Sequence, residues 1–293
     1  METFFRSDIS ARDQWYVKLR DDPNLAADRI TIDAMWTRFS PYADKNFQVE
    51  VTNDLISKYW EMFVGCAMLD AGFALENTGA GPDLRVYKQD VLYAYIEAVA
   101  PSGGTGPDRV DDIKGSSFWV PHDKISMRLG SVLLEKSRKH QRDIGCMALD
   151  PVAPLVIALN PRKMEMAQFR PDRAVIQLLY GGHPSGEDTY VESTSMGDSS
   201  SNSSWYMGQT IITKRSTGAQ LKTGFFMDES FAGVAAVLFG CTPVGRVTDH
   251  PLTELMLLHN PFARHPLGIG HIPVSVEAWW TTNALRIETK RNS

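Results

Sequence analysis

Glu97 lies in the stretch YAYIEAVAPSGG, Tyr93 to Gly104, whose other residues read as a buried strand running into a turn. An ionised carboxylate inside an apolar strand is costly unless it is paired or binds a metal. A partner is available upstream. In GPDLRVYKQDVLYAYIEAV two strand-like runs flank the polar centre KQD, and a hairpin about Gln89 and Asp90 sets Asp83 opposite Ile96 or Glu97. Facing side chains on paired strands stand roughly 4.5–5.5 Å apart at Cβ, so the two carboxylates can share one cation. Magnesium suits such a pair, because it takes hard oxygen ligands and only one or two protein carboxylates. The carbonyl of Ala98 or Val99 can add a further oxygen. Glu61, set among Trp60, Met62, Phe63 and Val64, is a third acid on apolar ground, suited to a second metal or to orienting a water. The plainer readings are a strand end for Glu97, a turn residue for Asp83 and an exposed helix position for Glu61.

Taken together, Glu61, GPD with Asp83 and IEAV with Glu97 resemble the PD-(D/E)XK nuclease superfamily over roughly residues 53 to 160. The resemblance implies a restriction-endonuclease-like, three-layer α/β/α fold with a central mixed sheet. It also implies magnesium or manganese held by Asp83, Glu97 and the Val99 carbonyl, with Glu61 assisting, and hydrolysis of nucleic-acid phosphodiesters, DNA rather than RNA. The lysine of that pattern falls two residues after Glu97, where this chain has Val99. The substitute is Lys136. Ile125, Leu129, Val132 and Lys136 form one helical stripe at i, i+4, i+7 and i+11, which ends in the ammonium. Lys139, one turn on, is expected in solvent. Arg128, Lys139 and Arg142 then grip the backbone of the nucleic acid, and Gln141 contacts substrate or water. The alternative is a catalytically inactive nucleic-acid-binding or protein-interaction module on the same fold. A homodimer is compatible with either.

The elements needed to position these residues can be read from the pattern. A helix starts near Asn53, capped by Thr52 or Asn53, and Gly72 ends it. FALEN, DLRVY and VLYAYIEAV are strands. A second helix covers about Asp123 to Arg142. PLVIALN and FAGVAAVLFG are buried strands, and another short strand lies near VSVEAWW. The polar run from Glu192 to Ser204 is expected as a mobile loop. The first 52 residues are expected as an N-terminal extension with one or two helices, and 53–293 as one elaborated domain.

Composition narrows the remaining classes. A hydrophobic fraction of 43% supports a sizeable core, and no apolar run is long enough for a membrane span. The N-terminal residues lack a signal-peptide layout, and three widely spaced cysteines read as reduced, inert thiols, which together suggest the cytoplasm. A net charge of −5 argues against a basic coat, although six basic residues between Lys124 and Arg142 can make a local groove. His250, His259, His265 and His271 crowd the C-terminal part at spacings that match no standard zinc pattern, and LLHNPFARHPLG is expected as an ordered loop. A hydrolase built on these histidines is a third reading. The GGTG at Gly103 to Gly106 is not a phosphate loop, since no Lys-Ser/Thr follows it.

Overall fold

The structure is a computed structural model that describes residues 3–76, 81–115, 117–146, 149–169, 171–184, 190–192, 205–207, 210–245, 250–281 and 284–289. Its centre is an eight-stranded mixed sheet. In chain order the strands are β1 (Ala74–Glu76), β2 (Leu84–Lys88), β3 (Val91–Val99), β4 (Leu155–Leu159), β5 (Ala236–Phe239), β6 (Met256–His259), β7 (Val276–Trp280) and β8 (Leu285–Thr289), and they lie side by side in that same order. β1, β2 and β3 form an antiparallel meander. β4 returns parallel to β3, and β5 parallel to β4. β6 is antiparallel to β5, β7 parallel to β6 and β8 antiparallel to β7.

Alternation along the strands divides the core into two. Val86, Ile96, Val156, Ala158 and Leu238 face α1 (Gln14–Asp21), α2 (Ala26–Phe39), α3 (Phe47–Val51) and α4 (Leu55–Asp70). Tyr95, Leu155, Ile157, Leu159 and Val237 face α5 (His122–Gly145) and α6 (Pro171–Tyr180). Helices therefore cover both faces, and all five residues of β4 are buried, as their unbroken apolar run requires. Phe4, Tyr16, Trp36, Phe39 and Phe47 belong to the same core as α4, so the first 52 residues form a layer of this core rather than an appendage.

The cap of α4 is Asp54, whose carboxylate accepts from the Ser57 amide. Thr52 and Asn53, the expected caps, instead donate their side chains back to the Val49 carbonyl. Gly72, at φ +80°, ends the helix in the left-handed conformation expected of it. α4 is buried on nearly every side, because α2 and α3 cover the face that the sheet does not. Gly65 permits this approach: a Cβ there would stand 2.4 Å from the buried Phe39 ring. Gly65→Ala is therefore expected to destabilise the protein by about 1–3 kcal/mol, overpacking outweighing the roughly 1 kcal/mol that alanine gains in helix propensity. A denaturant titration checks this, and an unchanged or higher midpoint refutes it.

Among the helices and the strands of the central sheet, α6, β6 and β8 had no counterpart in the sequence reading, and neither did three small two-stranded ladders outside that sheet. β6 includes the start of LLHNPFARHPLG, so that segment is not a loop from its first residue. The expected polar loop lies, past Glu192, outside the described residues. No described helix is long and apolar enough to cross a membrane.

Candidate active site

The β2–β3 hairpin turns at Gln89 and Asp90, both with positive φ (52° and 61°), as a two-residue turn of the primed type requires. Lys88 faces Val91 across it. A register shift between Val86 and Tyr87 then advances β3 by one residue, so that Val86 faces Ala94 and Leu84 faces Ile96. One rung further, Asp83 falls beside Glu97. Without that bulge Asp83 would meet Ile96, on the opposite face of the sheet. The Ala98 amide donates to Asp83 Oδ2 at 2.7 Å and fixes the carboxylate at the end of β3.

Glu97 is fully buried on the α5 side of the sheet. Two ammonium groups justify its charge. Lys136 Nζ donates to Oε2 at 2.6 Å and Lys139 Nζ to Oε1 at 2.5 Å. Lys139 also donates to the Gly81 carbonyl at 2.8 Å, tying the turn that carries Asp83 to the same glutamate. The expectation that Lys139 is merely solvated is thus corrected: residues three apart share one helix face, and both lysines reach inward from it. Burial raises the Asp83 pKa, Lys136 opposes this and the Glu97 charge adds to it. Burial alone would lower the Lys136 pKa, but Asp83 and Glu97 more than offset it, so it is raised.

Glu61 comes from the other face, on α4, and is buried. It accepts from Lys58 Nζ at 3.0 Å, and Lys58 also pairs with Glu50 at 2.6 Å. Burial, reinforced by the nearby Asp83 charge, pushes the Glu61 pKa up to about 7. α4 is held in place by Trp60 Nε1, which donates to the Ala158 carbonyl of β4, and by Lys163, which donates to Asp54 and Ser57. A carboxyl whose folded-state pKa exceeds its unfolded value binds more protons when folded. Its contribution to stability falls as pH rises from the unfolded pKa, near 4.5, to about 7. Glu61→Gln is expected to remove this slope, changing stability relative to wild type by on the order of 2–3 kcal/mol across the window. Parallel slopes for the two proteins in denaturant titrations at stepped pH would contradict the assignment.

The other candidates are more dispersed. The Val99 carbonyl accepts the Asn160 amide and keeps a second lone pair. Arg128 donates to the Ser102 carbonyl in the loop after β3, two turns of α5 from Lys136. Gln141 and Arg142 are exposed. Gln141 lies beside a cleft of about 40 Å³ with Ala153, Leu155 and Gly233, at the start of β4 and away from the acids. Cys146 is exposed rather than set in apolar surroundings. His259 is buried and hydrogen-bonded to the buried Glu277 at 2.8 Å. Among the described residues no group of three or more His, Cys, Asp and Glu side chains gathers closely enough to hold a metal ion. The sequence reading missed Lys58, Lys163 and the role of Lys139; only Lys139 carried a signal, its i+3 relation to Lys136.

The site therefore combines two adjacent carboxylates at the carboxyl end of β3, a third acid across the sheet, and lysines interleaved with them. Comparison of the chain with protein-family models, curated proteins and solved structures gave no match, so a functional reading rests on this geometry.

Proposed function

We propose that the protein is a magnesium- or manganese-dependent nuclease of restriction-endonuclease-like architecture, cleaving phosphodiester bonds in DNA. The observation that carries this reading is the fully buried Glu97, beside Asp83 and 2.6 Å from Lys136, on a helix–three-strand meander–helix–parallel strand arrangement. Asp83 and Glu97 fit a hard divalent ion: they are oxygen donors, desolvated and close enough for one to raise the other's proton affinity. Asp83, Glu97 and the Val99 carbonyl would hold such an ion, which when bound would supply positive charge to the phosphate and lower the pKa of a bound water. The rest falls to the chain. Lys136 orients Glu97 and presents a cation to the charge that develops on the phosphate oxygens. Lys139 holds the Asp83 turn in register. Glu61, with a pKa of about 7, can accept a proton from water near neutral pH. Arg128 and Arg142 are placed on α5 to meet backbone phosphates.

Purified protein incubated with supercoiled plasmid, linear duplex, single-stranded DNA and RNA tests the proposal. Cleavage is expected with magnesium or manganese and not with a chelator, and it should disappear in Asp83→Asn. Metal-independent cleavage, or full activity in that variant, refutes the site.

One observation favours a second reading, an inactive nucleic-acid-binding module: each oxygen of Glu97 already accepts from an ammonium. A manganese titration followed by calorimetry separates the two. A live site binds the ion and loses that binding in Asp83→Asn, whereas an inactive one binds DNA in the presence of chelator and takes up no ion at Asp83.

A further inference from the structure

The parallel strands β3, β4 and β5 end at one edge of the sheet. Asp83 and Glu97 lie at the end of β3, and neighbouring strands are about 4.8 Å apart, so the space beyond β4 and β5 is one to two strand spacings, roughly 5–10 Å, along the sheet from the strand that carries Glu97. Ligands of open α/β sheets bind outside these carboxyl ends. Beyond β4 and β5 there is a cavity of about 420 Å³, within the usual range for a small-molecule site. Its walls include Trp15, Asp28, Ile56, Arg162 and Val244.

Three of these residues are unusual in combination. Trp15 is 58% exposed, a large apolar ring on the wall of the cavity with the Lys18 ammonium 5.0 Å from its centroid. Asp28 is half-buried, and among the described residues its carboxylate accepts no hydrogen bond. Arg162 is half-buried, braced by Gln168 at 2.5 Å, and precedes Lys163, which anchors the start of the Glu61 helix. A flat ring to stack on, a carboxylate that needs donors and a guanidinium beside them together describe a site for a heteroaromatic ring with adjacent N–H groups and an attached phosphate. Among the nucleobases, guanine alone presents two neighbouring donors, N1–H and the exocyclic amine, to one carboxylate. Adenine, cytosine and uracil each offer a donor beside an acceptor.

We infer that this cavity reads a guanine next to the scissile phosphate: Trp15 stacks the base, Asp28 accepts from its Watson–Crick edge and Arg162 meets the adjoining phosphate. The inference rests on the nuclease reading for its place in the reaction but not for its test. Each well-formed bidentate pair discriminates between bases by roughly tenfold or more. The Glu97→Gln protein, without divalent metal, is titrated with GMP, AMP, CMP and UMP by tryptophan fluorescence and by calorimetry. GMP is expected to bind roughly tenfold or more tighter than the others. Asp28→Asn should abolish that preference. Trp15→Ala, a surface change that leaves the core untouched, should weaken GMP, and Trp15→Phe should retain it. Ends mapped after cleavage of random-sequence single-stranded DNA, whose Watson–Crick edges are free, should show guanine at one fixed distance from the cut, and Asp28→Asn should flatten that preference. No GMP binding at millimolar concentration, or equal binding of all four nucleotides, overturns the subsite even if DNA is cut. Selective GMP binding in a protein that cuts nothing supports the subsite and refutes the nuclease reading.

Discussion

Replacing Lys136 with alanine is expected to lower the rate of the chemical step by two to four orders of magnitude, roughly 3–5 kcal/mol of transition-state stabilisation. Its ammonium sits 2.6 Å from Glu97, and its charge also acts on Asp83. Of the two ammonium groups on Glu97, it acts more strongly on Asp83. Binding of DNA should change far less, since one charge among several phosphate contacts lowers the salt slope by only about one unit. Lys139→Ala should behave differently. That side chain is 35% exposed and joins Glu97 to the Gly81 carbonyl, so its loss loosens the Asp83 turn while leaving Lys136 in place. A loss of about tenfold is expected, with the apparent affinity for metal falling as well. Val99→Lys in the Lys136→Ala background should recover part of the rate by returning a cation to the strand. Single-turnover cleavage of a labelled duplex measures all three, and a Lys136→Ala protein within a few-fold of wild type would remove this residue from the mechanism.

Glu97→Ala should cost both activity and stability. Two acids side by side repel each other, and on that ground alone deleting one would relieve the fold. The two ammonium groups reverse that sign. Breaking a buried pair by removing one partner typically costs 3–5 kcal/mol, because a buried charge is left uncompensated. Here the lysine side chains are 21% and 35% exposed and can swing toward water, so about 1–3 kcal/mol is expected. Glu97→Gln keeps the shape and an acceptor for one lysine, so it should be milder in stability and equally inactive. Replacing the whole set, Glu97→Leu with Lys136→Met and Lys139→Met, should restore stability to near wild type without restoring cleavage. Urea midpoints decide the matter; a Glu97→Ala protein as stable as wild type would show that the pairs contribute nothing net.

What the sequence revealed of this site follows the reach of its periodicities. The period of two in VLYAYIEAV, together with the position of its turn, placed Asp83 within one residue of its partner. It could not choose between Ile96 and Glu97, because the bulge at Val86 and Tyr87 leaves no mark in residue type. The stripe ending in Lys136 pointed to the helix face that meets Glu97. Lys139 was read as solvated because the amphipathic pattern fades there, although a 24-residue helix continues straight past the sheet. The burial of Glu61 was invisible for a different reason: it depends on α2 and α3, which come from the first 52 residues and showed no clear period of their own. The prolines and histidines around β6 masked a strand whose partners, β5 and β7, are its neighbours along the chain, each separated from it by 16 residues. Local geometry was legible, and burial created by remote segments was not.

The central place of β4 has a consequence during synthesis. Leu155–Leu159 is wholly apolar and is hydrogen-bonded on one side to β3, which precedes it, and on the other to β5, which follows much later. The acids and lysines of the candidate site have all been translated before β5 exists. For the roughly 80 residues between β4 and β5, about 4–16 s at 5–20 residues per second, the nascent chain holds a nearly complete site beside an open, β-prone apolar edge. Ribosome-bound chains stalled in that interval should recruit chaperones through this strand, and a charge introduced at Ile157 to protect the edge would have to be buried once Val237 arrives to pair with it.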